Sequence, residues 1–193
     1  MSNPDPLDSP DYQQLPEASL YGTATYGDLS GQHFLGSSDA DYVDAGAGDD
    51  VLFGNKGDDY LLGGRGNDQY HFAWGDGRDT INDLSNANGE TDKLVFESGI
   101  TKDDLWFTRQ GDNLVIDLVG STDRVTLSQW YRDQMQQIEQ VIAGGEVLAN
   151  TDVELLISAM AAFGNPAAGD LVLAQSVKDD VAPALAAAWH TMT

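Results

Sequence analysis

Four nine-residue units follow one another without a gap: GSSDADYVD (36–44), AGAGDDVLF (45–53), GNKGDDYLL (54–62) and GGRGNDQYH (63–71). Each unit has an aspartate at its sixth position and an apolar or aromatic residue at its eighth. A fixed short period predicts one structural unit stacked on itself, and this takes precedence over any isolated motif. The alternative is an acidic, glycine-rich linker, but a linker has no reason to keep an apolar residue in phase with the aspartate.

The residue types in each unit suit a hard cation with oxygen ligands. Gly48, Gly57 and Gly66 recur at the fourth position, where glycine allows φ above zero and a tight turn that aims carbonyl oxygens inward. The aspartate that ends each turn adds a short carboxylate, and calcium takes about six to eight such oxygens in irregular geometry. The three residues after the aspartate predict a very short strand with one buried side chain.

The units resemble the RTX nonapeptide repeat, and this resemblance implies a calcium-loaded parallel β-roll. Two units then make one turn, so each loop faces the loop eighteen residues later. Asp41 is expected to share an ion with Asp59, and Asp50 with Asp68. WGDGRDTIN (74–82) continues the pattern with Asp79, eleven residues after Asp68, which predicts a bulge in the fifth loop.

The resemblance also implies ligand sets, in which the earlier loop of a pair gives carbonyls from its second and fourth residues and the later loop from its first and third. The first set is Ser37, Asp39 and Asp41 with Gly54, Lys56 and Asp59. The second set is Gly46, Gly48 and Asp50 with Gly63, Arg65 and Asp68. The third is Asn55, Gly57 and Asp59 with part of 74–79, including Asp79, and a fourth pair is Asp68 with Asp92. About three or more calcium ions are therefore expected.

Two loops depart from the repeat. Ser37 and Asp39 replace glycines in the first loop, so its carbonyl geometry is the least regular. In 27–35, Gln32 stands where an aspartate is needed, which predicts a degenerate cap turn. An EF-hand is excluded because Val43 occupies a ligand position after Asp39 and Asp41 and no glutamate closes the loop.

Charge and composition exclude several classes of function. The 193 residues carry a net charge of −23, which disfavours nucleic acid and anionic membranes as partners. The acidic repeats are expected to repel one another and to stay open without a cation. The chain has no cysteine, no run of about eighteen apolar residues that would span a membrane, and no HExxH, GxSxG or P-loop motif, so we predict that it is not an enzyme.

The division of the chain follows these patterns. We predict a flexible leader at 1–26, the calcium β-roll at 27–92, a β-rich capping flank at 93–150 and a helical tail at 151–193. The fold class is therefore all-β, a parallel β-roll with a capping flank and a short helical tail. Trp106, Trp130 and Tyr131 in the flank favour core packing, with a carbohydrate platform as the alternative.

In the tail, Thr151 and Glu154 match a capping box, and Leu155, Leu156, Ala159, Met160 and Phe163 form the apolar face of the helix that follows. Gly164-Asn165-Pro166 predicts its end, and a second helical stretch is predicted from near Pro183. Residues 1–19 lack the basic start and the apolar core that are expected of a cleavable signal peptide. The acidic, cysteine-free chain resembles cargo of a type I secretion system, whose uncleaved signal is C-terminal. The tail is then the export signal, an ordinary helical pair packed on the flank, or both.

This resemblance implies a secreted, extracellular or cell-surface location and the type I secretion machinery as a partner. We predict a calcium-binding module that folds on meeting extracellular calcium, at the C-terminus of a toxin, adhesin or exoenzyme. The alternative is a calcium-rigidified adhesin or ligand-binding module whose flank binds a glycan or a protein receptor.

Overall fold

The structure is a computed structural model that describes residues 23–83, 89–132, 137–163 and 173–192. Within these ranges the strands form two seven-stranded sheets. The first eight strands alternate between the two sheets and form what we call the roll. One sheet contains β1 (Thr23–Tyr26), β3 (Asp41–Asp44), β5 (Tyr60–Leu62) and β7 (Arg78–Ile81), and the other contains β2 (His33–Leu35), β4 (Val51–Phe53), β6 (Gln69–Phe72) and β8 (Lys93–Phe96).

Neighbouring strands of the roll are parallel. Val43 pairs with Leu61 and Leu52 with Tyr70, so the register is eighteen residues and two units make one turn. These four inward side chains are at most 3 % exposed. The predicted parallel β-roll is confirmed, because neighbouring strands pair in parallel at a register of two nonapeptide units and the eighth residue of each unit is buried.

The register widens towards the end of the roll. Tyr60 pairs with Thr80, twenty residues later, because a turn at residues 74–75 lengthens the fifth loop. Gln69 pairs with Lys93, twenty-four residues later. At the other end, β1 pairs with β3, although it lies within the range predicted to be a leader; residues 1–22 of that leader lie outside the described residues.

The flank extends both sheets from the strand after β8 onward; β8 itself lies in the range predicted for the flank but pairs in parallel with β6 as the last strand of the roll. β9 (Leu105–Gln110), β10 (Asn113–Leu118) and β11 (Arg124–Leu127) are antiparallel to one another, and β11 pairs with β7. β12 (Gln140–Ala143) pairs with β8, and β13 (Glu146–Ala149) pairs with β12. The last strand of the roll in each sheet is thus paired rather than open, which confirms the predicted capping flank.

The helical tail packs on this flank. α1 (Val153–Met160) contacts β9 and α2 (Gln175–Ala188). A final strand, β14 (Trp189–Thr191), pairs antiparallel with β13. None of the helices in the described ranges is long and apolar enough to cross a bilayer.

Two predictions for the tail are wrong in detail. α1 begins after a 3-10 turn at Asn150–Asp152, so Asp152 precedes the helix and no side chain caps it. The capping box of Thr151 and Glu154 therefore does not form. The buried face of α1 is Val153, Leu156 and Met160, whereas the predicted Leu155 and Phe163 are 45 % and 41 % exposed.

The second helix begins earlier than predicted. α2 starts at Gln175 and continues through Pro183. Proline removes a helical hydrogen bond, but Val181, Leu185 and Ala188 are buried on one face of this helix, and such tertiary packing overrides local propensity. The predicted stop at Gly164-Asn165-Pro166 lies outside the described residues.

Candidate metal centre

A first column of carboxylates runs across the strands of one sheet. The backbone N–H of Asp41 donates to Asp59 Oδ1 at 2.7 Å, and that of Asp59 donates to Asp79 Oδ1 at 3.1 Å. The predicted pairs Asp41–Asp59 and Asp59–Asp79 are thus adjacent. This column ends where Val125 pairs with Asp79, because valine offers no carboxylate.

A second column is longer. Asp50 and Asp68 each donate their backbone N–H to the aspartate of the next turn, Asp68 and Asp92, at 2.8 Å. Gln32 donates in the same way to Asp50 at 2.7 Å, so it occupies the place of an aspartate in the first turn. Asp92 donates to Glu139 Oε2 at 2.8 Å. Glu139 was not predicted, since it lies in the flank far from the repeats.

Asp50, Asp59 and Asp68 each accept a column hydrogen bond with Oδ1, whereas Asp41 Oδ2 accepts the backbone N–H of Ser37 in its own loop. Each of these four carboxylates has a second, buried oxygen. These second oxygens have no hydrogen-bond partner in the part of the chain that the structure describes: Asp41 Oδ1, Asp50 Oδ2, Asp59 Oδ2 and Asp68 Oδ2. The corresponding side chains are at most 2 % exposed. A buried polar atom without a partner is costly, and a buried charge must be paired or coordinate a metal.

Burial raises the pKa of these carboxyl groups, and the neighbouring carboxylates raise it further. The pKa is raised to about 6 for Asp50, to about 7 for Asp59 and Asp68, and to about 9 for Asp79. Within the described residues, the charged neighbours that act most strongly on these four groups are acidic. The columns therefore concentrate negative charge that the surrounding side chains do not neutralise.

The loops of the first predicted ligand set stack on each other. Ser37 donates its N–H to Asp41 Oδ2, and a Cβ on Gly57 would lie 2.7 Å from the carbonyl oxygen of Asp39. A Cβ on Gly54 would lie 2.4 Å from Asp59 Oδ2. Only glycine therefore lets the aspartate reach the start of its own loop. Lys56 is exposed and could contribute only its backbone carbonyl, because its ammonium group has no lone pair to offer a cation.

The second set is linked by backbone hydrogen bonds. Arg65 donates to the carbonyl oxygen of Gly46 at 3.1 Å, and Gly48 donates to the carbonyl oxygen of Arg65 at 2.7 Å. A carbonyl oxygen has two lone pairs, so each keeps one for a cation. Gly63 lies against the carboxylate, because a Cβ there would be 2.3 Å from Asp68 Oδ2.

The third set includes the widened loop. Gly57 donates to the carbonyl oxygen of Asp76 at 2.8 Å. Asn55 has a φ of 62°, and its side-chain amide donates to the carbonyl oxygen of Gly36 at 2.7 Å. The stacking of the first loop on the third was predicted, but this side-chain contact was not, since only the backbone carbonyl of Asn55 was assigned a role.

The columns fit a hard divalent cation. They offer only oxygen donors, four of them buried without partners, and glycines leave room where a Cβ would meet a carboxylate oxygen. Such a donor set suits calcium, which accepts carboxylate and carbonyl oxygens in variable number.

Trp106 and Trp130 of the flank are at most 2 % exposed. They therefore belong to the core of the flank rather than to an open carbohydrate platform.

Comparison with known proteins agrees with this chemistry. The profile of the RTX calcium-binding nonapeptide repeat matches residues 35–70 in four copies. The chain is also similar to the iron-regulated protein FrpA of Neisseria meningitidis serogroup C, with 41 % identity over 64 residues. The matched region covers 33 % of this chain and 6 % of FrpA, so the chain spans a small part of that relative.

Proposed function

Because residues 35–70 are RTX calcium-binding nonapeptide repeats, we propose that this chain is a calcium-dependent folding module of a type I secreted bacterial protein. One observation carries the proposal: four buried aspartates of the two columns, Asp41, Asp50, Asp59 and Asp68, each keep an oxygen without a hydrogen-bond partner in the described residues. Without a cation these groups must repel one another, take up protons or become exposed to water.

The three predicted ligand sets name the residues that would bind calcium. Asp41 with Asp59, Asp50 with Asp68, and Asp59 with Asp79 would hold calcium between stacked loops, together with the loop carbonyls named above. Calcium, when bound, supplies two positive charges and accepts about six to eight oxygens. Asp59 belongs to two sets, so it would connect neighbouring sites along the first column.

Cooperativity follows from this arrangement. Extracellular calcium modules have dissociation constants of about 10⁻⁴–10⁻³ M, so one such site adds only on the order of 1 kcal/mol at millimolar calcium. Three or more sites that share aspartates could together decide whether the roll folds, because each turn contacts only its neighbours. In a bacterial cytosol with little free calcium, the roll would remain unfolded and could pass through a narrow export channel.

The secreted or cell-surface location is part of the same proposal, and such repeats are typical of bacterial proteins found there. The tail would carry the export signal. Since β14 pairs with β13 and α2 contacts α1, the export machinery would have to recognise this signal before the tail folds onto the flank. The parent would be a toxin, an adhesin or an exoenzyme; the repeats themselves are structural, calcium-binding modules rather than catalytic ones.

Far-UV circular dichroism across a calcium titration tests the proposal, with magnesium as the control. We expect a cooperative rise of the β-signal at sub-millimolar to millimolar calcium and no rise with magnesium. A chain that is fully folded in chelator and indifferent to calcium would contradict the proposal and leave the repeats as a static scaffold.

A further inference from the structure

Three buried carboxylates meet at the last turn of the roll. One oxygen from each of Asp68, Asp83 and Asp92 lies within 4.8 Å of the others, and the three side chains are at most 1 % exposed. Asp83 follows the end of β7 and is out of phase with the nonapeptides. The cluster is therefore different from the two-aspartate pairs of the preceding turns.

Tyr70 holds Asp83 in this position. Its hydroxyl donates to Asp83 Oδ1 at 2.9 Å and accepts the backbone N–H of Gly63 at 2.7 Å. Tyr70 occupies the inward position of the fourth unit, which is aliphatic in the first three units. Among the four units, only the fourth brings a hydroxyl group to this interior position, at the turn where Asp83 approaches.

Hydrogen bonds leave two oxygens of the cluster unsatisfied. Asp68 Oδ2 and Asp83 Oδ2 are buried without a donor in the described residues, although the carboxyl groups of Asp83 and Asp92 lie within hydrogen-bonding reach of each other. The charges that act on Asp83 are those of Asp92 and Asp68. A proton shared between Asp83 and Asp92 would remove one of three negative charges and would leave Asp68 Oδ2 unpaired. A divalent cation would satisfy both oxygens and offset more of the charge.

We propose that Asp68, Asp83 and Asp92 form a closing calcium site, in which Asp83 is a ligand from outside the nonapeptides and Tyr70 is its positioning residue. This inference rests on the proposed calcium-dependent function and defines where the stack of sites ends. The oxygen-only donor set favours calcium over softer metals. Because Asp92 also donates its N–H to Glu139, next to β12, filling this site would hold the roll against its flank.

The number of calcium ions bound per folded chain tests the site. It would be measured by equilibrium dialysis with elemental analysis for the wild type, Asp83→Asn and Asp112→Asn. Asparagine keeps an oxygen that can accept from Tyr70 and nearly the same volume, so Asp83→Asn removes charge with little change in packing. Asp112 is an exposed residue of the flank and controls for net charge. We expect Asp83→Asn to bind one ion fewer than the wild type and Asp112→Asn to bind the same number.

Unchanged stoichiometry and affinity in folded Asp83→Asn would overturn the site, and Asp83 and Asp92 would then share a proton. Failure of the proposed function is distinguishable, since the wild type itself would then bind no calcium. Tyr70→Phe keeps all three carboxylates, and we expect it to weaken one site several-fold without reducing the number of ions. Affinities equal to those of the wild type would remove the positioning role of Tyr70.

If Asp83→Asn does not fold, infrared spectroscopy of the calcium-saturated wild type decides the question. A carbonyl band of a protonated carboxylic acid at neutral pH that shifts in Tyr70→Phe would assign a proton to Asp83 and overturn the site. The absence of such a band, or a band that Tyr70→Phe does not move, would support it.

Discussion

The roll and the flank that covers it are both built from short strands, but they bury different groups. In the flank, Leu114, Ile116 and Trp130 are at most 2 % exposed, and each such apolar side chain stabilises the fold by roughly 1.5–3 kcal/mol. The roll also buries apolar side chains, among them Tyr42, Tyr60 and Leu62 outside the inward row. In addition it buries the aspartates of its two columns: Asp41, Asp50, Asp59, Asp68, Asp79 and Asp92. Burial of apolar side chains therefore stabilises the flank without a cation. The stability of the roll also depends on the cation or the protons that neutralise its buried carboxylates.

Removal of calcium should separate the two regions most clearly. With excess chelator, we expect amides of β3 to β6 to lose protection from hydrogen exchange, while amides of β9 and β10 stay protected because their core is apolar. Hydrogen exchange read by mass spectrometry would measure this, and excess magnesium is the control. Equal loss of protection in roll and flank would show that the two regions unfold as one unit.

A cavity in the flank should lower the stability of the protein without changing the number of calcium ions that it binds. Leu114 is completely buried, and Leu114→Ala should lower the free energy of unfolding in saturating calcium by about 2–5 kcal/mol. The number of calcium ions bound should not change, because Leu114 lies in β10 and far along the chain from the columns. Thermal unfolding and equilibrium dialysis on the same samples test this, and a lost ion would couple the flank core to the sites.

Removal of the shared aspartate should affect calcium binding directly. Asp59→Ala should destabilise the calcium-saturated roll by on the order of 2 kcal/mol, since it impairs two sites worth about 1 kcal/mol each. The midpoint of the calcium titration, followed by circular dichroism, should then rise by at least about tenfold. Asp112→Ala is the matched control and should titrate like the wild type. If Asp59→Ala also titrates like the wild type, the proposed pairing is wrong.

Acid should partly replace calcium in the roll. Burial raises the pKa of Asp50 to about 6 and of Asp59 and Asp68 to about 7, above the ordinary value of 3.8. A carboxyl group with a raised pKa in the folded chain favours folding when protonated; this contribution is complete below about pH 4 and is lost as the pH rises through about 7.

In chelator, the β-signal should therefore be larger near pH 4.5 than near pH 8, with the smallest effect of the four predictions. In saturating calcium the trend should reverse, because acid protonates the ligands and releases the ions. Circular dichroism at matched ionic strength would measure both trends. A pH-independent signal in chelator would mean that these aspartates are not buried in the metal-free folded chain.

The parts of the site that follow the period were predictable. Asp41 and Asp59 lie eighteen residues apart and pair as expected, because the spacing alone decides which residues of a repeat are superposed. The boundaries of the helices could not be predicted from the sequence. Pro183 lies within α2, because the packing of one helix face against the flank outweighs the tendency of proline to end a helix. Asp83 does not fall on the nine-residue spacing of the repeats, and no pattern in the sequence could assign it to the cluster.

The nine-residue period was enough to predict the roll, the order of its carboxylate columns and the oxygen donors, because glycine, aspartate and one apolar residue in each unit encode each turn locally. The ends of the two columns, by contrast, depend on how the flank packs against the roll. At the end of one column, Val125 of β11 pairs with Asp79 of β7. At the end of the other column, Asp83 and Glu139 lie beside Asp92. These contacts arise where strands of the flank pair with the last strands of the roll, and such non-local pairing is set by the path of the chain rather than by any repeat.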